Sequence, residues 1–247
     1  MFCPGDETGK HVAFRTLCRK VWEFDSPPGH KFVKIIDLSQ TVSETSLLYP
    51  GDFDIELKQT ESMEKGASHN GEVIKAGVHV LTHLDSPGHQ IRGGKMVQDY
   101  PLEKFVQQAI LINLLDKKEI KKEDLEPYQD KIKKVGALLI RTGFDKIIER
   151  YEQDADFRQK TKINVNDLPQ FTQDCAEWLS SFGNLELIGV DSLTVGNKII
   201  HNAFLQKDIL LVEGLFLENA PENFVLHCFP WKLKNVNGAP CRAVALI

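Results

Sequence analysis

The sequence predicts a single α/β domain built on a mixed, partly barrel-like β-sheet flanked by helices. Short apolar runs of strand length alternate along the chain with segments of helical spacing, which is the pattern of an α/β fold. The C-terminal part is rich in strand-like runs, which favours a mixed sheet or partly closed barrel over a simple parallel stack. No internal repeat, low-complexity tract or Ser/Gly linker divides the chain.

Taken in order, residues 1–31 are mixed, with Pro4, Gly5, Pro27, Pro28 and Gly29, and read as an extension or arm before a domain over 32–247. FVKIIDLS (32–39) reads as a strand, and LLYPGD (47–52) as a turn punctuated by Pro50-Gly51. EVIKAGVHVLTH (72–83) is β-branched and alternating, so it starts as a strand. Pro101 opens a short helix, PLEKFVQQA, at a position where its missing N–H costs nothing. AILINLL (109–115) and GALLIRT (136–142) suit buried strands. The Lys- and Glu-rich segment between them is a linker with helical stretches and a solvated face. FDKIIERYEQDADFRQK (144–160) has helical spacing at Ile147, Ile148 and Tyr151. DLPQFTQDCAEWLSSFG (167–183) reads as a further helix stopped at Gly183. LELIGVDS, DILLVEG, NFVLHCFP and RAVALI supply four more strands.

Composition narrows the function. With 247 residues the chain can bury a full core, and 42% hydrophobic with 26% charged residues is ordinary for a soluble globular protein. A net charge of −5 argues against nucleic acid as a partner. No apolar run approaches the roughly 20 residues that span a bilayer. Asp6, Glu7, Lys10 and Arg15 interrupt any signal-peptide core. The five cysteines are scattered without a C-x-x-C pair, so neither a disulfide framework nor a cysteine zinc site is expected. A reducing, cytoplasmic compartment is the simplest reading.

The chemistry concentrates in HVLTHLDSPGH, residues 79–89. On a strand His79, His83 and Asp85 would share one face. Residues i and i+4 lie roughly 13 Å apart on an extended strand, against about 6 Å on a helix. Two imidazoles about 2.0–2.1 Å from one zinc cannot come from the former. If His79 and His83 share a metal, the backbone must therefore curl near Val80–Thr82. Asp85 can join from extended chain. Ser86-Pro87-Gly88 then forces a turn that could swing His89 back over the site. A lone strand histidine is most simply a satisfied surface or core group, whereas four candidate ligands in one short stretch point to a metal site. The helical H-E-x-x-H motif is excluded, since no Glu follows His79.

The pattern H-x-x-T-H-x-D-x-P-x-H resembles the signature of the cyclase family of metal-dependent hydrolases, which includes bacterial kynurenine formamidase and isatin hydrolase. Tyr49-Pro50-Gly51-Asp52, Arg141-Thr142-Gly143-Phe144, Gly189-Val190-Asp191-Ser192 and the tail FPWKLKNVNGAPCRAVAL are similar to further family segments in the same order. The resemblance implies that His79, His83 and Asp85 are metal ligands, with Asp85 able to bridge two ions. It implies that His201 and Glu213 complete a second site, that His89 is the general acid/base, and that Tyr49 contacts substrate where the family has tryptophan. It further implies Zn2+, one or two per chain, with Mn2+ possible, and a swivelling β/β/α-type fold assembled as a dimer or dimer of dimers. Leu81 stands where the family has glycine, so it must turn away or fill part of the pocket. The segment from Asp191 to His201 is shorter than in formamidases.

Residue chemistry agrees with that implication. A bound divalent ion lowers the pKa of water and polarises a carbonyl, and a nearby neutral histidine can move the protons. The oxygen and imidazole donors suit zinc or manganese. The reading is a hydrolase of amide, lactam or ester bonds in a small molecule. The alternatives are a cyclase or dehydratase with the same metal, or a catalytically silent metal-binding protein. His11, His30, His69 and His227 fit no ligand spacing. Gly93-Gly94 reads as a loop, and Cys175 and Cys228 as core.

Overall fold

The computed structural model describes residues 33–247. The extension read over 1–31, with His11, His30, Cys3 and Cys18, lies outside the described residues. The strands are β1 (Ile35–Asp37), β2 (Glu56–Glu61), β3 (Gly71–Lys75), β4 (His83–Asp85), β5 (Val106–Asn113) and β6 (Glu119–Ile120), then β7 (Ala137–Arg141), β8 (Gln170–Phe171), β9 (Leu187–Val190), β10 (Leu210–Glu213), β11 (Asn223–Pro230) and β12 (Gly238–Leu246). The helices are α1 (Lys122–Leu125), α2 (Gln129–Ile132), α3 (Phe144–Gln153), α4 (Ala155–Lys160), α5 (Gln173–Ser180) and α6 (Lys198–Leu205).

The main sheet runs β1-β12-β11-β5-β7-β9-β10-β4, and β4 also pairs with β12. That second pairing closes the sheet into a ring, and β1 lies on β12 beyond the point where β4 joins it. β5, β7, β9 and β10 are mutually parallel, and the other contacts are antiparallel. The sheet is therefore mixed and barrel-like, as the strand-rich C-terminal part suggests.

Alternation along the strands sets the layers. Leu111, Leu139 and Val212 point inward with Leu84 and Leu226. Ile110, Ile112, Leu138 and Ile140 point outward to meet Cys175 and Leu179 of α5 and Phe204 of α6. Strands buried on both faces read as unbroken aliphatic runs, which is why β7 is recognisable as ALLIR. A third cluster joins Leu47, Ile55, Val80 and Leu81 to Phe144 and Ile148 of α3.

Several boundaries differ from the sequence expectation. Pro101 opens only a short 3-10 turn over Leu102–Phe105, because Val106 onward is drawn into β5 by pairing on both edges. The helix expected over 144–160 is divided at Asp154, whose extended backbone and Oδ1, accepting from Phe157 N at 2.9 Å, start α4. The helix expected from 167 begins at Gln173, since Gln170 and Phe171 pair with β6. EVIKAGVHVLTH divides into β3, a loop and β4. Among the described residues no helix is long and apolar enough to cross a membrane.

Candidate metal centre

β4 is held on both edges. Its His83, Leu84 and Asp85 lie opposite Glu213, Val212 and Leu211 of β10, and opposite Pro240, Ala239 and Gly238 of β12. Leu84 points into the ring, so His83 and Asp85 face outward, and Glu213 shares their face as the cross-strand neighbour of His83. α6 packs over this face and brings His201. Its N-cap is Asn197, whose side chain accepts from Ile199 N and Ile200 N.

The curl that the i, i+4 spacing requires occurs at Leu81, which adopts the left-handed conformation at φ 47. Its side chain is 3% exposed and packs in the third cluster, so it turns away from the site. Its backbone nests against Gly214, also left-handed, where a Cβ would lie 2.2 Å from the Leu81 carbonyl oxygen. Thr82 Oγ1 donates to Gly214 O at 2.6 Å and accepts from Gln40 N at 2.8 Å, which fixes the entry to β4. After β4, Pro87–His89 form one 3-10 turn, and His89 N donates to Ser86 O at 2.9 Å. The turn folds His89 back until its ring centroid is 4.1 Å from that of His79.

Asp85 is the hub. Its Oδ1 lies 2.6 Å from His79 Nδ1 and 3.3 Å from His83 Nε2. Its Oδ2 lies 3.6 Å from His201 Nε2 and 3.9 Å from His89 Nε2. Glu213 spans the other side, with Oε2 at 3.5 Å from His83 Nε2 and Oε1 at 3.3 Å from His201 Nε2. Val195 N donates to Glu213 Oε1 at 2.6 Å. Three imidazoles are tethered through the nitrogen that faces away from the hub. His83 Nδ1 meets Leu81 O at 2.8 Å, His201 Nδ1 meets Asn197 O at 3.1 Å, and His79 Nε2 meets Asn237 Oδ1 at 2.8 Å. Among the described residues His89 has no such tether.

The electrostatics reflect two buried carboxylates. Burial alone would suppress protonation of His83 and His201, but Asp85 and Glu213 outweigh it and push these imidazoles up to about 9 and about 11. The Asp85 carboxyl is held well below its usual range, because His83, His201 and His79 overcome the opposing burial. Burial opposes protonation of His79, but its hydrogen bond to Asp85, the Asp85 charge and the bond to Asn237 together outweigh it and raise the imidazole. His89 is lowered by burial, with the other imidazoles adding to the effect of burial. A low-pKa imidazole is neutral near pH 7 and free to accept a proton.

These residues fit a metal centre. Ligand atoms of His79, His83 and Asp85 lie within 4.8 Å of one another, as do those of Asp85, His89 and His201. Asp85 Oδ2 is buried without a hydrogen-bond partner, and the ion-pair contacts to Asp85 and Glu213 among the described residues are all from imidazoles. An uncompensated buried oxygen on the one carboxylate that two ligand groups share is the arrangement a divalent cation satisfies.

A cavity of about 220 Å³ opens beside His79, lined by Leu48, Asp52, Phe53, Gly77, Val78 and Val80. Burial raises the Asp52 carboxyl, opposed by His83 and His79. Burial likewise raises the Tyr49 phenol, with Glu213 and Asp52 adding to it; Tyr49 packs against the third apolar cluster and is not among the residues that line this cavity. A larger groove of about 400 Å³ on α3 is lined by Lys146, Glu149, Arg150, Gln153, Asp154 and Glu218, and none of the hub residues reaches it. His69 is exposed, and Cys175 and Cys228 are buried. Asn237, Asn197 and the Val195 amide carry no ligand signature in the sequence, and only the fold brings them to the hub.

Known proteins share this arrangement of chain. The sequence model of a family described as putative cyclase matches residues 36–197. Cyclase-like protein 3 of Oryza sativa subsp. japonica is 30% identical over 198 residues, covering 75% of this chain and 68% of the rice protein. A kynurenine formamidase of Bacillus cereus is 27% identical over 215 residues, covering 85% of this chain and 95% of its own length. Among solved structures, an isatin hydrolase bound to the product analogue thioisatinate superposes with a TM-score of 0.71 at 17% identity, over 87% of this chain and 92% of the other. Isatin hydrolase A from Labrenzia aggregata superposes with a TM-score of 0.70 at 20% identity, over 87% and 94%.

Proposed function

The chain belongs to the cyclase family, and from that premise we propose that it is a metal-dependent hydrolase of amide, lactam or ester bonds in small molecules. The observation that carries this reading is the buried Asp85, which both ligand groups share and whose Oδ2 has no hydrogen-bond partner. His79, His83 and Asp85 hold one divalent ion, and Asp85, His201 and Glu213 hold a second. Zinc is the expected metal, with manganese as the alternative, because imidazole and carboxylate donors suit both. When bound, such an ion supplies Lewis acidity to a carbonyl and lowers the pKa of water.

The chain's own residues do the rest. His89 is the general acid/base: it is untethered, neutral near pH 7, and lies within 3.9 Å of the hub carboxylate. It takes the proton of the attacking water and returns it to the leaving nitrogen or oxygen. The three tethered imidazoles have their orientation fixed, as ligands require. Tyr49 contacts substrate, as the family resemblance implies, while Leu81 acts through the backbone it sets. The apolar wall of Leu48, Val78 and Val80 receives a compact substrate. The scattered cysteines suit a reducing, cytoplasmic compartment, and the family resemblance implies assembly as a homodimer or dimer of dimers.

The test is elemental analysis of protein purified without added metal, followed by a hydrolysis screen over formamides, lactams and lactones. Close to one or two equivalents of zinc or manganese and chelator-sensitive turnover are expected. Stoichiometric metal without turnover on any class would favour a silent metal-binding protein, and absence of metal uptake would sink the reading.

A further inference from the structure

We propose that Asn237 and Gly238 form the seat of His79, and that His79 meets its metal through Nδ1 whereas His83 and His201 use Nε2. This rests on the metal centre proposed above. Gly238 lies directly opposite Asp85 in the β12–β4 register. A Cβ at Gly238 would sit 2.3 Å from His79 Cε1 and 2.7 Å from Nδ1, so the imidazole fills the space that glycine leaves on the strand. Asn237 Oδ1 meets His79 Nε2 at 2.8 Å from the other side. An amide oxygen accepts only, so Nε2 donates to Asn237 and keeps its proton, while Nδ1, which donates to Asp85 Oδ1 at 2.6 Å in the metal-free protein, is the nitrogen that gives up its proton to a metal.

Asn237 is itself anchored to the site. Its backbone carbonyl accepts from both Ser86 N and Ser86 Oγ at 2.9 Å, and Ser86 directly follows Asp85. The seat therefore moves with the hub. The other ligand tethers are backbone carbonyls from the same segment, two residues from His83 and four from His201. His79 is tethered by a side chain 158 residues away in sequence. It is also the most exposed ligand, at 24% of its side chain. Its orientation is the one that a side-chain substitution can release. Asn237 is thus a positioning residue, acting on the metal through His79.

The experiment measures zinc affinity by competition with a chromophoric chelator in wild type, Asn237→Ala and Asn237→Asp. It also records long-range 1H–15N correlations of histidine-labelled, zinc-loaded wild type. Asn237→Ala should bind one zinc about 10- to 100-fold more weakly, the scale for losing an outer-shell partner of a ligand. Asn237→Asp keeps an acceptor and should remain within a few fold of wild type. The spectra should show His79 protonated at Nε2, with His83 and His201 protonated at Nδ1. An Asn237→Ala affinity equal to wild type would overturn the proposal. So would an Asn237→Asp loss as large as that of Asn237→Ala, or a His79 ring protonated at Nδ1, which the wild-type spectrum reads even if a variant fails to fold. Wild type that binds no zinc would instead sink the metal centre itself.

Discussion

Replacing Leu81 separates its two roles, burial and backbone strain, by the order of two variants. The side chain is 3% exposed in the third apolar cluster, so truncation to alanine costs about 2.7–5 kcal/mol. The backbone sits at φ 47, a conformation that costs an L-residue roughly 1–2 kcal/mol and glycine almost nothing. Leu81→Ala loses the burial and keeps the strain. Leu81→Gly loses slightly more surface but relieves the strain. At an ordinary position glycine is less stable than alanine by roughly 0.5–1 kcal/mol. Here the order should invert, with Leu81→Gly above Leu81→Ala by about 0.5–1 kcal/mol and both below wild type. The assay is urea unfolding in excess chelator, so that metal binding does not contribute to the difference. Both variants should still load metal, since the Leu81 carbonyl that tethers His83 at 2.8 Å belongs to the main chain. Alanine more stable than glycine by about 0.5 kcal/mol or more would refute the left-handed assignment and the account of why leucine is tolerated.

Other outcomes test the chemistry. His89→Ala should keep its metal and lose roughly 100-fold or more in turnover, and loss of metal instead would make His89 a ligand. Glu213→Gln should bind one ion fewer by elemental analysis while His79, His83 and Asp85 keep theirs. In the metal-free protein His83 and His201 titrate at about 9 and about 11, above the ordinary value near 6.5, so they add stability that is complete below about pH 6.5 and is lost as pH rises through both folded values. Chelated protein should therefore melt lower at pH 10 than at pH 6.5, and a His83→Gln/His201→Gln variant should lose most of that difference. With a cavity of only about 220 Å³ beside His79, N-formylkynurenine should give a kcat/KM below about 10⁴ M⁻¹s⁻¹ with zinc or manganese, and a higher value would make formamidase the activity.

Much of this was legible in the sequence, because the hub depends on local pattern. The spacing of His79, His83 and Asp85 demanded a curl, and the chain supplies one at Leu81. The four C-terminal strands follow their apolar runs closely. What the pattern could not reveal depends on distant pairing. Val106–Gln108 carry no strong strand signal of their own and are ordered by pairing with His227, Leu226 and Val225 of β11. Nothing near Asn237 in sequence hints that it faces His79, for the contact exists only once β12 lies beside β4. Whether Leu81 would enter the pocket or the core could not be read either, since both placements keep the same backbone curl.

The three residues of β4 carry a consequence for how the molecule comes into being. They pair with strands that begin at Leu210 and Gly238, so the hoop stays unlatched until more than half of the polypeptide has followed them. His83 and Asp85 are therefore separated in sequence from Glu213 and Gly238, the residues that complete their surroundings, by most of the domain. Pairing of β4 with both neighbours brings Gly238 beneath His79 and sets Glu213 against His83. An ion held at this hub would tie together segments more than a hundred residues apart in the chain, so that its binding would couple to closure of the ring.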